Sequence, residues 1–320
     1  MSEPISVIVT VKNEERSIHE LLNSLMAQTR PPDELVLVDG GSSDGTVSIV
    51  EGYREASPFP IRIIAEERAN ISRGRNLAIA AATHGLIAST DAGVRLSLNW
   101  LADLASPLEE DRADVVSGFF AADPRNSFEA ALGATVLPAL SDIEPRDFLP
   151  SSRSIAFRKE AWVAAGGYPE WLDYCEDLIF DLALRDQGIR FAFAPSAVAH
   201  FRPRSSLRSF FRQYYHYARG DGKADLWRKR HAIRYATYLM ALPGLLIMAT
   251  AWHPLWWFPL LLGAAAYLRD PYRRLRAFLG PYGFQDRLKA ILWVPIIRVT
   301  GDIAKMAGYP VGVRWRMARR

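Results

Sequence analysis

An α/β fold with a mostly parallel sheet and helices on both faces is predicted from two features of the first 120 residues. Short apolar runs, typical of buried parallel strands, alternate with longer amphipathic runs, typical of helices. The apolar runs end in loops that are rich in Gly, Ser and Asp. No G-x-G-x-x-G sequence follows the first run, so the pattern does not indicate an NAD-binding fold.

The individual elements follow from these runs. The predicted strands are 5–11, 35–39, 61–65, 86–90 and 114–119, and the predicted helices are 15–27, 44–55, 72–83 and 98–106. Open α/β sheets bind ligands beyond the carboxyl ends of their strands. Because Asp39 and Asp91 lie at the ends of two predicted strands, we expect a polar site at this edge of the sheet.

The charges are unevenly distributed along the chain. Residues 1–200 carry 17 Lys and Arg against 30 Asp and Glu, whereas residues 201–320 carry 22 against 5. A basic half predicts binding to nucleic acid or to an anionic membrane surface. The aromatic and aliphatic residues between these charges favour the membrane, and no nucleic-acid-binding motif is present. A single cysteine, Cys175, excludes an internal disulfide.

The C-terminal third contains a long uncharged run. Residues 235–268 carry no formal charge, and both flanks are basic. The run is longer than the roughly 20 residues of one membrane span, and His253-Pro254 interrupts it. The positive-inside rule places both flanks on the cytoplasmic side, so we expect a helical membrane hairpin that turns at His253. A buried hairpin of a soluble domain is the alternative.

Four ordered motifs identify a family resemblance. The segments 4–15 and 35–46 are strands that end in polar loops, 86–93 ends in Thr-Asp-Ala-Gly, and 174–177 ends in Glu-Asp. This order resembles the family 2 glycosyltransferases, which are inverting enzymes of the GT-A fold, a Rossmann-like nucleotide-diphospho-sugar transferase fold. The resemblance covers residues 5–222.

The resemblance implies a donor site for a nucleotide-sugar, with a UDP-sugar favoured. The residues that it assigns to donor binding are Thr10, Asn13, Glu14, Asp39, Arg75, Asp91, Gln213 and Arg219. Asp39 would recognise the base, because a carboxylate accepts the imide N–H of uracil; its alternative is a helix-entry role. Arg75 would meet the diphosphate or pair with an acidic loop residue.

The resemblance also implies a divalent cation, Mg²⁺ or Mn²⁺, held by Asp91 and His200. Carboxylate oxygens and diphosphate oxygens are the hard ligands that these cations prefer. The sequence departs from the Asp-x-Asp pattern of the family, because Gly93 stands at the second acidic position. Arginines that replace part of the metal's charge are therefore the rival arrangement.

Glu176 and Asp177 match the Glu-Asp pair of the family. Inverting transfer needs a base that takes the proton of the acceptor hydroxyl. We assign this role to Asp177, with Glu176 orienting it or contacting the acceptor; compensation of a helix dipole is the alternative. Ser152 and Arg153 are predicted acceptor-side contacts.

The sequence predicts an enzyme at the cell membrane with its catalytic domain facing the cytoplasm. Residues 1–222 would form the glycosyltransferase domain, with a nucleotide-sugar half (1–120) and an acceptor half (121–222), and residues 223–320 a membrane-associated region. The acceptor would be a lipid-linked or envelope glycan, and membrane lipids would be further partners. The alternatives are a polyprenyl-phosphate glycosyltransferase and a non-catalytic sugar-nucleotide-binding scaffold subunit.

Overall fold

The computed structural model describes residues 2–319 and divides the chain into two compact units. The first unit comprises the residues up to Ala122 together with Ala139–Arg202. The second comprises Asp123–Pro138 and the residues from Pro203 onwards. Residues 203–222, which the sequence analysis placed in the glycosyltransferase domain, thus group with the C-terminal segment.

The first unit is built on one sheet of eight strands. These are β1 (Ile5–Val11), β2 (Glu34–Asp39), β3 (Ile61–Ala65), β4 (Leu86–Asp91), β5 (Val94–Leu96), β6 (Val115–Ala122), β7 (Ile155–Arg158) and β8 (Phe191–Phe201). Their order across the sheet is β3-β2-β1-β4-β7-β6-β8-β5. All five strands predicted from the apolar runs are present, and the predicted α/β class with a GT-A-like sheet is confirmed.

The two halves of the sheet differ in strand direction. The strands β1 to β4 pair in parallel, as predicted. The strand β7 lies between β4 and β6 and is antiparallel to both, and β5 is antiparallel to β8. The sheet is therefore mixed beyond β4. The sequence did not indicate β5 and β7, because they are short strands without a long apolar run.

Helices cover both faces of this sheet. In chain order the helices of this unit are α1 (Ile18–Met26), α2 (Thr46–Arg54), α3 (Ile71–Ala81), α4 (Trp100–Glu109), α6 (Lys159–Ala164) and α7 (Glu176–Asp186), whereas α5 (Ser127–Val136) belongs to the second unit. Alternate residues of β1 enter different cores: Val7 and Val9 pack in one, and Ile8 packs in the other. This alternation is the two-residue period of a strand that is buried on both faces.

The second unit is helical. It contains α5 and the later helices α8 (Leu207–Lys223), α9 (Arg228–Ala236), α10 (Leu242–Ile247), α11 (Trp257–Leu275) and α12 (Phe284–Met317). Its core joins residues of four helices, among them Leu132, Phe210, Leu275 and Val294.

The predicted hairpin region is helical on both sides of His253. The π-helical turn Thr237–Ala241 joins α9 to α10, and a second one, Met248–Trp252, continues this helical stretch until His253 becomes extended. Within residues 2–319, the stretch Arg228–Trp252 alone is long and apolar enough to cross a bilayer, with a mean hydropathy of 1.4 and 6% of its apolar window buried. Its position in a membrane stays a prediction.

Candidate active site

The loops that follow β1 and β2 are tied to each other. Asn13 adopts the left-handed conformation with φ 57°, which asparagine tolerates better than most residues. Its Oδ1 accepts a hydrogen bond from the backbone N–H of Ser43 at 2.8 Å, and its own N–H donates to Ser42 Oγ at 2.9 Å. The neighbouring Glu14 N–H donates to Thr46 Oγ1 at 2.8 Å. Asn13 and Glu14 therefore shape the loop pair at the carboxyl edge of the sheet.

Asp39 is buried at the end of β2, where its own loop surrounds the carboxylate. The carboxylate accepts hydrogen bonds from the N–H of Gly41 at 3.2 Å and from Ser42 Oγ at 2.6 Å. These bonds hold the loop in its turn, as in an Asx-type turn. Recognition of a base by Asp39 stays a prediction.

Thr10 lies beside Asp91 and Val38 in the sheet, because β1 pairs with β4 and β2 at these positions. Helix α3 approaches this point closely: a Cβ added at Gly74 would lie 2.7 Å from Thr10 Cγ2. The glycine thus allows the N-terminal part of α3, which carries Arg75, to approach the strand ends closely.

Arg75 joins two acidic residues that are distant in sequence. Asn70 caps α3 by accepting from the N–H of Arg73 at 2.9 Å, which fixes the start of the helix. The buried Arg75 guanidinium donates from Nη1 to Glu176 Oε1 at 2.8 Å and from Nη2 to Asp91 Oδ1 at 3.1 Å. The structure therefore shows the pairing of Arg75 with acidic residues, and its contact with a diphosphate stays a prediction.

Asp91 also pairs with Arg153. The Nε of Arg153 lies 3.1 Å from Asp91 Oδ2, and its guanidinium lies 4.3 Å from the centre of the Phe201 ring. Thr90 Oγ1 donates to the carbonyl of Arg153 at 2.9 Å, which fixes the backbone next to the pair. Burial opposes ionisation of Asp91, but the charges of Arg153 and Arg75 outweigh it and lower the pKa of this carboxyl.

The Glu-Asp pair begins α7 at the same cluster. Cys175, the residue before the helix, has φ 67°, a left-handed conformation that is uncommon outside glycine and sets the direction of the first turn. Burial, followed by the charge of Asp177, raises the pKa of Glu176 to about 7. Asp177 is only partly buried, and its Oδ1 accepts from the N–H of Leu178 at 2.8 Å. Glu176 thus faces Arg75, while Asp177 retains an accessible carboxylate.

Two further residues, to which the sequence analysis assigned no role, complete the cluster. Asp181 is 1% exposed, and no described residue lies within hydrogen-bond distance of its Oδ2. Burial and the charge of Asp177 raise its pKa well above the ordinary value. The buried Tyr168 donates to or accepts from Ser152 Oγ at 2.9 Å and lies under the Arg75 guanidinium at 5.3 Å. The available signal was that Asp181 follows Asp177 by four residues, which is one helical turn.

The two residues predicted on the acceptor side have partners within the protein. Ser152 forms a hydrogen bond with Tyr168, and Arg153 forms an ion pair with Asp91. Gln213 and Arg219 lie on α8 in the second unit, where Gln213 Nε2 donates to Tyr217 Oη at 2.8 Å. Donor or acceptor binding by these four residues stays a prediction.

The metal prediction fits one residue of the cluster. Asp91 offers a partly exposed carboxylate, and a single carboxylate combined with substrate phosphates is a common Mg²⁺ site. Gly93 offers no ligand, and residues 2–319 contain no group of three His, Cys, Asp or Glu side chains that could hold a metal ion. Side chains alternate along a strand, so His200 points to the opposite face from Phe201, the neighbour that contacts Arg153. As a metal ligand, Asp91 is therefore better supported by the structure than His200.

Comparison with known proteins agrees with this geometry. Residues 6–162 match the family described as "Glycosyl transferase family 2". TarS of Staphylococcus aureus, a poly(ribitol-phosphate) beta-N-acetylglucosaminyltransferase, is 34% identical over 113 residues, which cover 35% of this chain and 20% of TarS. ExoA of Rhizobium meliloti, a succinoglycan biosynthesis protein, is 26% identical over 231 residues, 68% of each chain. The chain therefore spans about a fifth of the length of TarS.

Solved structures show the same fold. The mannosyltransferase PcManGT from Pyrobaculum calidifontis, in complex with GDP-Man and Mn²⁺, has a TM-score of 0.67 at 23% identity and covers 97% of this chain and 88% of its own. Residues 1–349 of S. aureus TarS in complex with UDP-GlcNAc have a TM-score of 0.54 at 20% identity, with 98% of this chain and 92% of that chain covered.

The fold and the matches define a glycosyltransferase of the GT-A class. Within that class, residues 6–162 form a family 2 glycosyltransferase domain. The predictions of an enzyme and of this family are confirmed.

Proposed function

We propose that the protein transfers a sugar from a nucleotide-diphosphate sugar, with UDP-sugars favoured, to a lipid-linked or envelope glycan acceptor. The transfer inverts the anomeric carbon and takes place at the cytoplasmic face of the cell membrane. The observation that carries this proposal is the cluster of Arg75, Asp91 and Glu176 at the carboxyl end of β4, with Asp177 next in sequence. The UDP-GlcNAc complex of TarS and the names of TarS and ExoA support the donor and acceptor classes.

In the proposed step, the Asp177 carboxylate takes the proton of the acceptor hydroxyl. The acceptor oxygen then bonds to the anomeric carbon from the side opposite the leaving group, and the bond between that carbon and the phosphate oxygen breaks. The nucleotide diphosphate departs with the electron pair. Asp177 suits this role because it is partly exposed and lies in the first turn of α7, where the helix dipole stabilises a negative charge.

The negative charge that develops on the diphosphate requires compensation. A Mg²⁺ or Mn²⁺ ion that binds Asp91 and the diphosphate oxygens would supply part of it. Arg153 supplies a further positive charge at the same carboxylate, held at its position by Phe201. Arg75 is too deeply buried to contact the departing nucleotide diphosphate. We therefore propose that its role is to position Glu176 and Asp91.

Donor turnover by the detergent-purified full chain tests this proposal. UDP-, GDP- and dTDP-sugars would be supplied with Mn²⁺, Mg²⁺ or EDTA, and nucleotide release and nucleotide binding would both be measured. We expect release of UDP that requires the divalent cation. UDP release that persists in EDTA would indicate that arginines compensate the charge of the diphosphate. If the protein bound none of the donors, the proposed donor site would be refuted.

Asp177→Asn tests the base, with Asp186→Asn at the exposed end of the same helix as the matched control. We expect kcat to fall by about 10² to 10⁴ in Asp177→Asn, with donor affinity retained, because general base catalysis contributes that much. Asp186→Asn should leave kcat unchanged. A mild effect of Asp177→Asn combined with a severe effect of Arg153→Gln would instead favour a lipid phosphate as the acceptor, since a phosphate needs little help from a base.

A further inference from the structure

The second unit contains a small polar cavity that the proposed transfer does not use. Its volume is about 70 Å³, and it lies among α5, α8 and α12. Its lining combines aromatic residues with charged ones: Phe210, Tyr214, Arg298, Asp302 and Lys305. A cavity of this size accepts a group of a few heavy atoms.

Two cations of α12 line the cavity without an ion-pair partner among residues 2–319. No described acceptor lies within hydrogen-bond distance of the buried Arg298 Nε, and the Arg298 guanidinium lies 4.7 Å from the centre of the Tyr267 ring. The Lys305 ammonium lies 4.9 Å from the centre of the Tyr214 ring. Aromatic faces stabilise a cation but do not neutralise it.

The carboxylate between these two cations is already engaged. Asp302 accepts from Arg234 Nε at 2.7 Å and from the hydroxyls of Tyr238 at 3.1 Å and Tyr267 at 2.5 Å. Arg234 thus neutralises the charge of Asp302, so Arg298 and Lys305 leave an excess of positive charge around the cavity. Burial, followed by the charge of Arg234, lowers the pKa of Lys305 to about 8. A bound anion would remove this unfavourable electrostatic energy.

An apolar stripe runs along the same helix. Leu292, Ile296, Val299 and Ile303 recur at helical spacing and are 59%, 46%, 39% and 48% exposed. Helical spacing places this stripe on the face of α12 opposite Arg298 and Lys305, so it is a surface separate from the cavity.

We propose that this cavity binds a phosphate group, either free or carried by a lipid, through Arg298 and Lys305. Guanidinium and ammonium groups are the usual phosphate-binding side chains of proteins. This site does not depend on the transfer activity, and its test contains no transfer step.

The test uses the detergent-purified full chain and two probes. The first probe is inorganic phosphate, whose affinity is measured from the rise in Tm against chloride at equal ionic strength. The second is a set of phosphatidylcholine vesicles with and without phosphatidylglycerol. The variants are Lys305→Gln and Arg298→Gln, and the matched control is Lys289→Gln, which removes an exposed charge from the same helix.

Each cavity variant should lose about tenfold in affinity for phosphate and for the anionic vesicles, whereas Lys289→Gln should behave as the wild type. Loss of the phosphate response alone, with unchanged vesicle binding, would support the site and name free phosphate as its source. Equal losses in Lys289→Gln, or no loss in either cavity variant, would overturn the proposal. Far-UV circular dichroism establishes that each variant is folded, and Arg298→Gln decides the question if Lys305→Gln does not fold.

Discussion

The Nη1 of Arg75 lies 2.8 Å from Oε1 of Glu176, a residue that follows it by 101 positions. Both side chains are almost completely buried, with 4% and 9% of their surfaces exposed. A charge this deep in the protein is stable only when it is paired, so the two residues depend on each other.

Arg75→Met should destabilise the protein by about 3 kcal/mol, because it leaves the buried Glu176 without its cation and removes one of the two cations that pair with Asp91. Urea unfolding of the two proteins measures this loss. The control is Arg73→Gln, two residues away, whose side chain is 48% exposed and paired with Glu66. It should cost less than about 1 kcal/mol. Equal effects of the two variants would contradict the buried ion pair.

Glu176 should make stability depend on pH. Its pKa rises from an ordinary 4.5 to about 7 in the folded protein, so the folded state binds the proton more tightly than the unfolded state. The contribution of this carboxyl is therefore fully present below pH 4.5 and is lost as the pH rises through 7. Relative to Glu176→Gln, the wild type should lose on the order of 3 kcal/mol over this window.

Urea unfolding at several pH values between 4.5 and 8 measures that difference. The exposed Glu160 provides the control, since Glu160→Gln should give a stability profile parallel to that of the wild type. A wild-type curve parallel to that of Glu176→Gln would show that the carboxyl titrates normally.

Gly93→Asp should raise the affinity for Mn²⁺ several-fold in the presence of UDP. A Cβ at Gly93 would lie 3.8 Å from Glu14 Oε2 and 3.9 Å from Ser17, which are ordinary contacts, so the side chain can be accommodated. The new carboxylate restores the second acidic position and adds a hard oxygen ligand near Asp91. Calorimetric titration of Mn²⁺ measures the change. Gly93→Asn adds a side chain of the same shape without its charge, and equal affinities in the two variants would argue against a cation at this position.

Ile247→Glu should weaken binding to phospholipid vesicles by at least about tenfold, because a charge at the centre of an apolar helix opposes insertion. Ile247 lies in the apolar helical stretch and is 64% exposed, so its replacement removes little internal packing. Flotation with vesicles measures binding. Val163→Glu, at an equally exposed apolar position in the first unit, should have no effect. Unchanged binding of Ile247→Glu would show that the stretch lies outside the lipid.

The parallel half of the sheet was predictable because each strand there is a nearly continuous apolar run. In β2, for example, all six residues from Glu34 to Asp39 are buried. The strands β5 and β7 have three and four residues, and their positions depend on antiparallel partners far away in the sequence. Local periodicity contains no information about such pairings.

The site was predictable as far as its residues follow strand ends or recognisable motifs. Arg75, Asp91 and Glu176 were named from the sequence, and the structure brings them together. Their contacts were left open, because an arginine suits a diphosphate and a carboxylate equally well. Asp181 was missed because it follows no strand end and no family motif, and Tyr168 was given no individual role.

Helices α8 and α12 touch through their backbones. A Cβ at Gly308 or Gly312 would overlap the main chain of Tyr215 or Arg219, and one at Gly222 would overlap Tyr309. Such a contact leaves no layer of side chains between the helices that could repack, so the two helices move together. Any displacement of α12 is therefore shared by Gln213 and Arg219, which α8 carries.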